Sequence, residues 1–131
     1  MELDSAVKTE TDQDALVAFV KACLDVDDAT IVDINKSSIA PEVYDAGWDR
    51  FAIGWELDAK RRIVENYEAV AAMLREVEAE DYKAPQTRWT VRGRHEEAAR
   101  AFLTVAMTYR GRYGYGRALR DSVVAQAEVA L

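Results

Sequence analysis

The chain has few of the residues that form disulfides, metal sites and many catalytic sites: one cysteine and one histidine among its 131 residues. Cys23 cannot form an internal disulfide, and His95 cannot supply the two histidines of a zinc-protease helix. No apolar run approaches the length that spans a bilayer, and the acidic N-terminus, 1–5, does not resemble a signal peptide. We therefore expect a cytoplasmic protein with no metal, no cofactor, no small-molecule substrate and no membrane contact.

The composition is typical of a folded globular protein. Half of the residues are apolar and 31% are charged, and a chain of this length can bury a core without disulfides or metals. The first ten residues show no hydrophobic periodicity, so they predict a flexible lead-in. We expect a single globular domain over 11–131.

Charge divides this domain into two halves. Residues 1–85 carry 20 acidic and 9 basic side chains, whereas residues 86–131 carry 4 acidic and 8 basic ones, all eight of them arginine. The acidic half (11–85) and the basic half (86–131) therefore differ in sign, although the net charge of the chain is −7. This split predicts a charged contact within the molecule or with a partner.

Hydrophobic periodicity predicts an α+β fold. We expect a small mixed or antiparallel sheet of about three strands covered by four main helices. The strands are predicted from β-branched or alternating segments at 30–34, 51–57 and 87–92. The helices are predicted at 12–26, 58–80, 95–109 and 117–130, with a brief helix between Pro41 and Gly47. Helical spacing predicts one buried stripe on each main helix, and Gly93 is expected to turn the chain into the third. These stripes include, in order, Val20 on the first helix, Tyr67 on the second, Phe102, Val105, Ala106 and Tyr109 on the third, and Val123 on the last.

One alternative is a predominantly helical chain with a single long helix over 42–80. Apolar residues from Trp48 to Val77 recur at close to 3.6 residues, so one long helix would also bury an apolar stripe. Gly47 and Gly54 count against it, because each glycine costs a helix interior about 1 kcal/mol relative to alanine. With strands at 51–57 and 87–92, Trp55 and Trp89 are expected in the core, and Trp48 is the tryptophan expected at the surface.

The segment 109–117, here called the Arg/Tyr segment, combines arginine and tyrosine side chains on a glycine-rich backbone. Guanidinium groups pair with carboxylates or phosphates, and tyrosine rings provide surfaces for stacking. As a nucleic-acid site it would use a set of arginines and tyrosines, namely Arg92, Arg94, Arg110, Arg112, Tyr113, Tyr115 and Arg117. The more ordinary interpretation is a connection between helices whose arginines pair with the acidic half of this chain or of a neighbour.

The acidic half offers a matching surface at the end of helix 58–80. Carboxylates at a helix C-terminus are disfavoured by the helix dipole, so cations are expected to come to them. A protein partner or a second copy would then bind through both surfaces. The expected residues are Arg110, Arg112, Tyr113, Tyr115, Arg117, Arg120, Trp48, Glu76, Glu78, Glu80 and Asp81.

No pattern of residues completes a catalytic or ligand-binding motif. The aspartates at 25, 27, 28 and 33 fail the EF-hand pattern, and the glycines at 111, 114 and 116 fail the dinucleotide pattern. Cys23 lies on the buried stripe of the first helix, where a thiol is usually inert. We therefore expect a protein that is not an enzyme.

The function that the sequence favours is a non-enzymatic protein-interaction or assembly module, which self-associates or binds a larger partner. One alternative is a nucleic-acid-binding accessory protein. Another is an acidic mimic of a phosphate backbone that inhibits a nucleic-acid-handling enzyme. A short acidic chain without motifs is also compatible with a viral or mobile-element product.

Overall fold

A computed structural model of the chain describes residues 14–36, 50–80 and 85–129. These residues form five helices: α1 (Ala15–Lys36), α2 (Arg50–Ala79), α3 (Pro85–Met107), α4 (Tyr115–Arg120) and α5 (Val123–Val129). The described ranges contain no strand. The predicted lead-in (1–10), the brief helix near Pro41 and Trp48 lie outside them.

The predicted α+β fold is therefore wrong, and the predominantly helical alternative agrees with the structure. Each of the three predicted strands lies inside a helix: 30–34 in α1, 51–57 in α2 and 87–92 in α3. The long helix predicted over 42–80 begins at Arg50 within the described residues.

Packing explains why the β-rich segments are helical, because the propensity of a short segment is a weak preference that tertiary contacts override. On α2, Leu57, Val64, Tyr67, Val70 and Ala71 recur at helical spacing and are all buried. This continuous apolar stripe outweighs the cost of about 1 kcal/mol for Gly54.

The segment 87–92 shows how the period decides which side chain faces inward. A strand would place Trp89 and Val91 on the same face. In a helix, side chains two positions apart in sequence instead point about 200° apart around the axis. Val91 is accordingly buried, whereas Trp89 is 79% exposed. The hydroxyl of Thr90 donates to the carbonyl oxygen of Gln86 at 2.9 Å, as helical threonines commonly do.

The helices α2 and α3 form an antiparallel hairpin, and their contact is the largest between any two helices of the described part. At its centre the rings of Tyr67 and Phe102 stack with their centroids 5.1 Å apart, and both side chains are fully buried. The helix α1 packs across this hairpin, while α4 and α5 pack against α1.

One buried carboxylate joins the first and last of these helices. Oδ2 of Asp14 accepts hydrogen bonds from the backbone N–H groups of Leu16 and Val17, both at 3.1 Å. Oδ1 accepts from those of Val123 and Val124, at 2.8 and 3.3 Å. Asp14 therefore caps the N-termini of α1 and α5 together, which fixes the C-terminal helix against the start of the bundle.

The helix boundaries and the buried stripes agree only partly with the predictions. The buried stripe predicted for 95–109 is confirmed, although its helix begins ten residues earlier, at Pro85. The helix predicted over 117–130 is instead two short helices, α4 and α5. Val123, predicted to be buried, is exposed, and Val124 takes its place in the core.

None of the described helices combines the length and the apolar character that crossing a membrane requires.

Candidate functional site

The Arg/Tyr segment leaves the end of α3 and turns back into α4. Backbone hydrogen bonds close its turns, from the N–H of Arg112 to the carbonyl oxygen of Tyr109 at 2.9 Å and from that of Tyr115 to Arg112 at 3.2 Å. Gly114 has a φ of 95°, a conformation that side chains disfavour, and an added Cβ would lie 3.4 Å from the ring of Phe19. The turn therefore requires glycine at this position.

Two residues of the segment are used to hold it against α1. Nη2 of Arg112 donates to Oδ1 of Asp27 at 2.6 Å, and the guanidinium lies 5.1 Å from the ring centroid of Tyr109. The ring of Tyr115 packs on that of Phe19, with centroids 6.0 Å apart. These contacts place Arg112 and Tyr115 among the residues that stabilise the fold.

Tyr109 lies at the centre of this arrangement, with Nζ of Lys60 also 4.8 Å from its ring centroid. Burial raises the pKa of Tyr109 to about 12, the charge of Asp27 adds to this effect, and the charge of Arg112 opposes it. Unfolding releases the phenol, so its pKa returns to the ordinary value of 10.0.

This difference predicts how the phenol titrates and how stability changes at high pH. The absorbance difference between the native protein and a Tyr109→Phe variant should show ionisation with a midpoint near pH 12. Between pH 10 and 12 the folded state holds a proton that the unfolded state has lost, so stability should fall as pH rises. A midpoint near the ordinary value would contradict the buried placement of Tyr109.

Asp25, Asp27 and Asp28 lie inside α1, which continues past the predicted helix end at 26, and all three are paired within the chain. Arg61 donates from Nε to Asp28 at 2.9 Å and from Nη2 to Asp25 at 2.8 Å, with a further contact between Nη2 and Asp28. These hydrogen bonds raise the pKa of Arg61 above its ordinary value. Among the described residues, no group of three or more potential ligands is placed to hold a metal.

Arginines of α3, and not those of the Arg/Tyr segment, bind the acidic end of α2. Nε of Arg92 donates to Oε1 of Glu78 at 2.9 Å, and Nη2 of Arg88 donates to the carbonyl oxygen of Glu80 at 2.7 Å. Glu76 is exposed, and Asp81 lies outside the described residues. The antiparallel hairpin explains this pairing, because it places the start of α3 beside the end of α2.

Four predicted partner-binding residues remain directed to solvent. Arg110, Arg117 and Arg120 are exposed, and the side chain of Tyr113 is fully exposed. None of them forms an ion pair or a hydrogen bond through its side chain with another residue of the described ranges. Arg94, on α3, is exposed in the same way.

The strongest surface feature was not predicted from the sequence. Along the side of α3 opposite its buried residues runs a row of exposed residues at helical spacing, here called the α3 outer stripe. Its members are Trp89, Gly93, Glu96, Arg100, Thr104 and Met107. Trp89 is 79% exposed and Met107 is 53% exposed, so a large apolar side chain stands at each end of the stripe.

Gly93 is an unusual residue for its position in the middle of a 23-residue helix. Its φ is not positive, and an added Cβ would have no atom within 4 Å, so neither backbone conformation nor packing within the described residues requires glycine. Without a side chain at Gly93, an open groove lies between Trp89 and the carboxylates of Glu96 and Glu97.

The substitution Gly93→Ala should therefore stabilise the isolated protein. Removal of an unnecessary helix glycine raises the free energy of unfolding by about 0.5 to 1 kcal/mol. Urea denaturation would measure the change, and Gly114→Ala provides a matched control, because its positive φ predicts destabilisation. A destabilised Gly93→Ala variant would show that the fold itself requires this glycine.

Trp55 on α2 is also exposed, at 72%. Trp55 and Trp89 were both predicted in the core, and both predictions are wrong because the segments are helices rather than strands. Searching 85–107 for a helical stripe would have revealed Trp89, Gly93 and Met107 on one face.

Cys23 and His95 both pack into the helical bundle. Burial raises the pKa of the Cys23 thiol, which lowers its thiolate fraction. His95 faces the ring of Tyr67, with centroids 5.7 Å apart, in the interior of the α2–α3 hairpin.

Comparisons with protein-family models, with curated proteins and with solved structures find no match to this chain.

Proposed function

We propose that the protein is a non-enzymatic interaction module of the cytoplasm whose contact surface is the α3 outer stripe. The observation that carries this proposal is the pairing of a 79% exposed tryptophan with a glycine, Gly93, four residues later on the same face. An exposed indole costs free energy in water, and tryptophan is the residue most enriched among the dominant contacts of protein interfaces. The glycine gives a partner backbone room to approach.

The charge layout of the stripe also favours a protein partner. Glu96 and Arg100 lie between the apolar ends, and neither forms an ion pair within 4.0 Å in the described ranges. The stripe has charged and small residues at its centre and apolar side chains at both ends. A partner helix can satisfy the charges and cover both apolar ends in only one register, which gives specificity.

Site-specific photo-cross-linking tests the proposal. A benzoyl-phenylalanine in place of Trp89 should give protein adducts of defined mass in cells that make the protein, in concentrated purified samples, or in both. The same group in place of Arg62, which is exposed on α2, is the matched control and should give none. An intact fold with no adduct at position 89, or with equal adducts at both positions, would overturn the proposal.

A second candidate function, nucleic-acid binding, is favoured by the four free residues of the Arg/Tyr segment and α4. Arg110, Arg117 and Arg120 could contact phosphates while the exposed ring of Tyr113 stacks on an unpaired base. Retention on single-stranded probes should then fall steeply with salt, and Arg110→Ala with Arg117→Ala should reduce the slope by roughly one to two units. Arg62→Ala is the control, and an absence of retention at low salt would reject this candidate.

The third hypothesis, an acidic mimic of a phosphate backbone, receives less support from the contacts of α1. Asp25 and Asp28 share the single guanidinium of Arg61, and Asp27 pairs with Arg112. A mimic requires carboxylates that remain free for a basic partner, so these three could not serve without breaking contacts that hold the bundle together.

A further inference from the structure

We infer that the occupant of the α3 outer stripe is a second copy of this chain, packed antiparallel across a two-fold axis at the level of Ala98. The inference rests on the proposed function, because it identifies the partner of the same surface. It follows from the order of residues along the stripe. When the stripe of a second copy runs in the opposite direction, apolar residues face apolar ones and acidic residues face basic ones.

The spacing of the stripe around Ala98 is symmetric. Trp89 lies nine positions before Ala98 and Met107 nine positions after it, and Glu96 and Arg100 lie two positions before and after. In an antiparallel pair of helices centred there, equidistant residues of the two copies face each other. Each Trp89 then meets the Met107 of the other copy, a sulfur–aromatic contact that also covers both exposed side chains.

Charge selects the antiparallel direction. In this arrangement each Glu96 faces the Arg100 of the other copy, which gives two ion pairs across the axis. A parallel arrangement would place Glu96 against Glu96 and Arg100 against Arg100. Like charges face each other there, so the parallel pair is disfavoured.

Gly93 allows the α3 helices of the two copies to approach each other closely. Gly93 lies five positions before the axis and Thr104 six positions after it, so at each end of the central ion pairs Gly93 of one copy lies within one residue, about 1.5 Å along the helix axis, of Thr104 of the other. The hydroxyl of Thr104 already donates to the carbonyl oxygen of Arg100 at 2.9 Å and needs no partner across the interface. Small side chains at these positions permit the close approach of two helices.

The size of the surface sets the expected affinity. The stripe from Trp89 to Met107 extends over about 27 Å at 1.5 Å per residue. One helix from each copy buries an area near or below the lower limit of stable interfaces, about 1,200 Å². The dimer should therefore form in the micromolar range and dissociate on dilution.

Sedimentation equilibrium of the full chain from low micromolar to millimolar concentration tests the inference through charge reversal. Glu96→Arg alone and Arg100→Glu alone should each weaken the dimer roughly tenfold or more, because each places like charges across the axis twice. An equimolar mixture of the two variants should associate again as a heterodimer, since both of its cross-axis pairs are then opposite in sign. Arg62→Glu and Glu65→Arg, on the exposed side of α2, are the matched controls and should change nothing.

A steric variant provides an independent test. Gly93→Leu should remain folded, because no described atom lies within 4 Å of an added Cβ, yet it should weaken association about tenfold or more. Circular dichroism would confirm the fold of each variant.

A wild-type chain that stays monomeric at millimolar concentration, or a mixture no more associated than its components, would overturn self-pairing. A monomer that still yields adducts with a different protein at position 89 would overturn self-pairing alone and leave the proposed function standing. A monomer that yields no adduct at that position would overturn both.

Discussion

Asp14→Ala should lower the free energy of unfolding by about 3 to 5 kcal/mol, the largest loss expected for a single polar side chain of this protein. The substitution removes the cap of α1 and that of α5 at once. It leaves the N–H groups of Leu16 and Val124 buried without an acceptor. It also removes the acceptor for the hydroxyl of Ser122, which lies 3.0 Å from Oδ2.

Two variants separate the contributions to this loss. Ser122→Ala removes the hydroxyl that accepts from the N–H of Ala125 at 3.1 Å, so it should cost only about 1 kcal/mol. Asp14→Asn keeps one oxygen acceptor and should lose roughly half as much as Asp14→Ala. Urea denaturation of dilute protein would measure all three, and a loss below about 1 kcal/mol for Asp14→Ala would contradict the double cap.

Phe102→Ala should destabilise the protein by about 3 to 5 kcal/mol through a cavity at the centre of the α2–α3 hairpin. The Phe102 ring is fully buried and stacks on Tyr67. Its removal takes away both the buried apolar area and the aromatic contact, and the surrounding helices can close the space only in part.

The matched variants for Phe102 are a conservative change at the same position and a truncation on the opposite face of α3. Phe102→Leu should cost about 1.5 kcal/mol or less, because it keeps most of the volume. Met107→Ala should change the stability of the dilute monomer by no more than about 0.5 kcal/mol, since the side chain is exposed. Equal losses for Phe102→Ala and Met107→Ala would mean that the buried and exposed faces of α3 are assigned incorrectly.

The core could be predicted from the sequence better than the fold class. The stripes that contain Val20, Tyr67 and Phe102 were evident from helical spacing and are buried. The segments 30–34 and 87–92 were not predicted as helical, because their β-branched and alternating residues fit a strand equally well when considered locally. Long-range packing decides between the two, such as that of Ile31 against the buried core.

The candidate site depended on that same decision. A strand over 87–92 places Trp89 in the core and Gly93 in a turn, so that prediction hides the α3 outer stripe. The split of charge was real, but its pairing could not be derived from composition. The antiparallel hairpin brings Arg92 to Glu78, while the Arg/Tyr segment folds onto α1 through Arg112 and Asp27.

Hydroxyl-radical footprinting of Trp89, with Trp55 as the internal reference, tests most directly whether the α3 outer stripe is the contact surface. The two indoles are similarly exposed in the free chain, at 79% and 72%, so dilute protein should be oxidised at both. In concentrated samples or in extracts of the cells that make the protein, oxidation of Trp89 should fall sharply while that of Trp55 stays the same. Equal oxidation of the two tryptophans under every condition would contradict the assignment of the contact surface to α3.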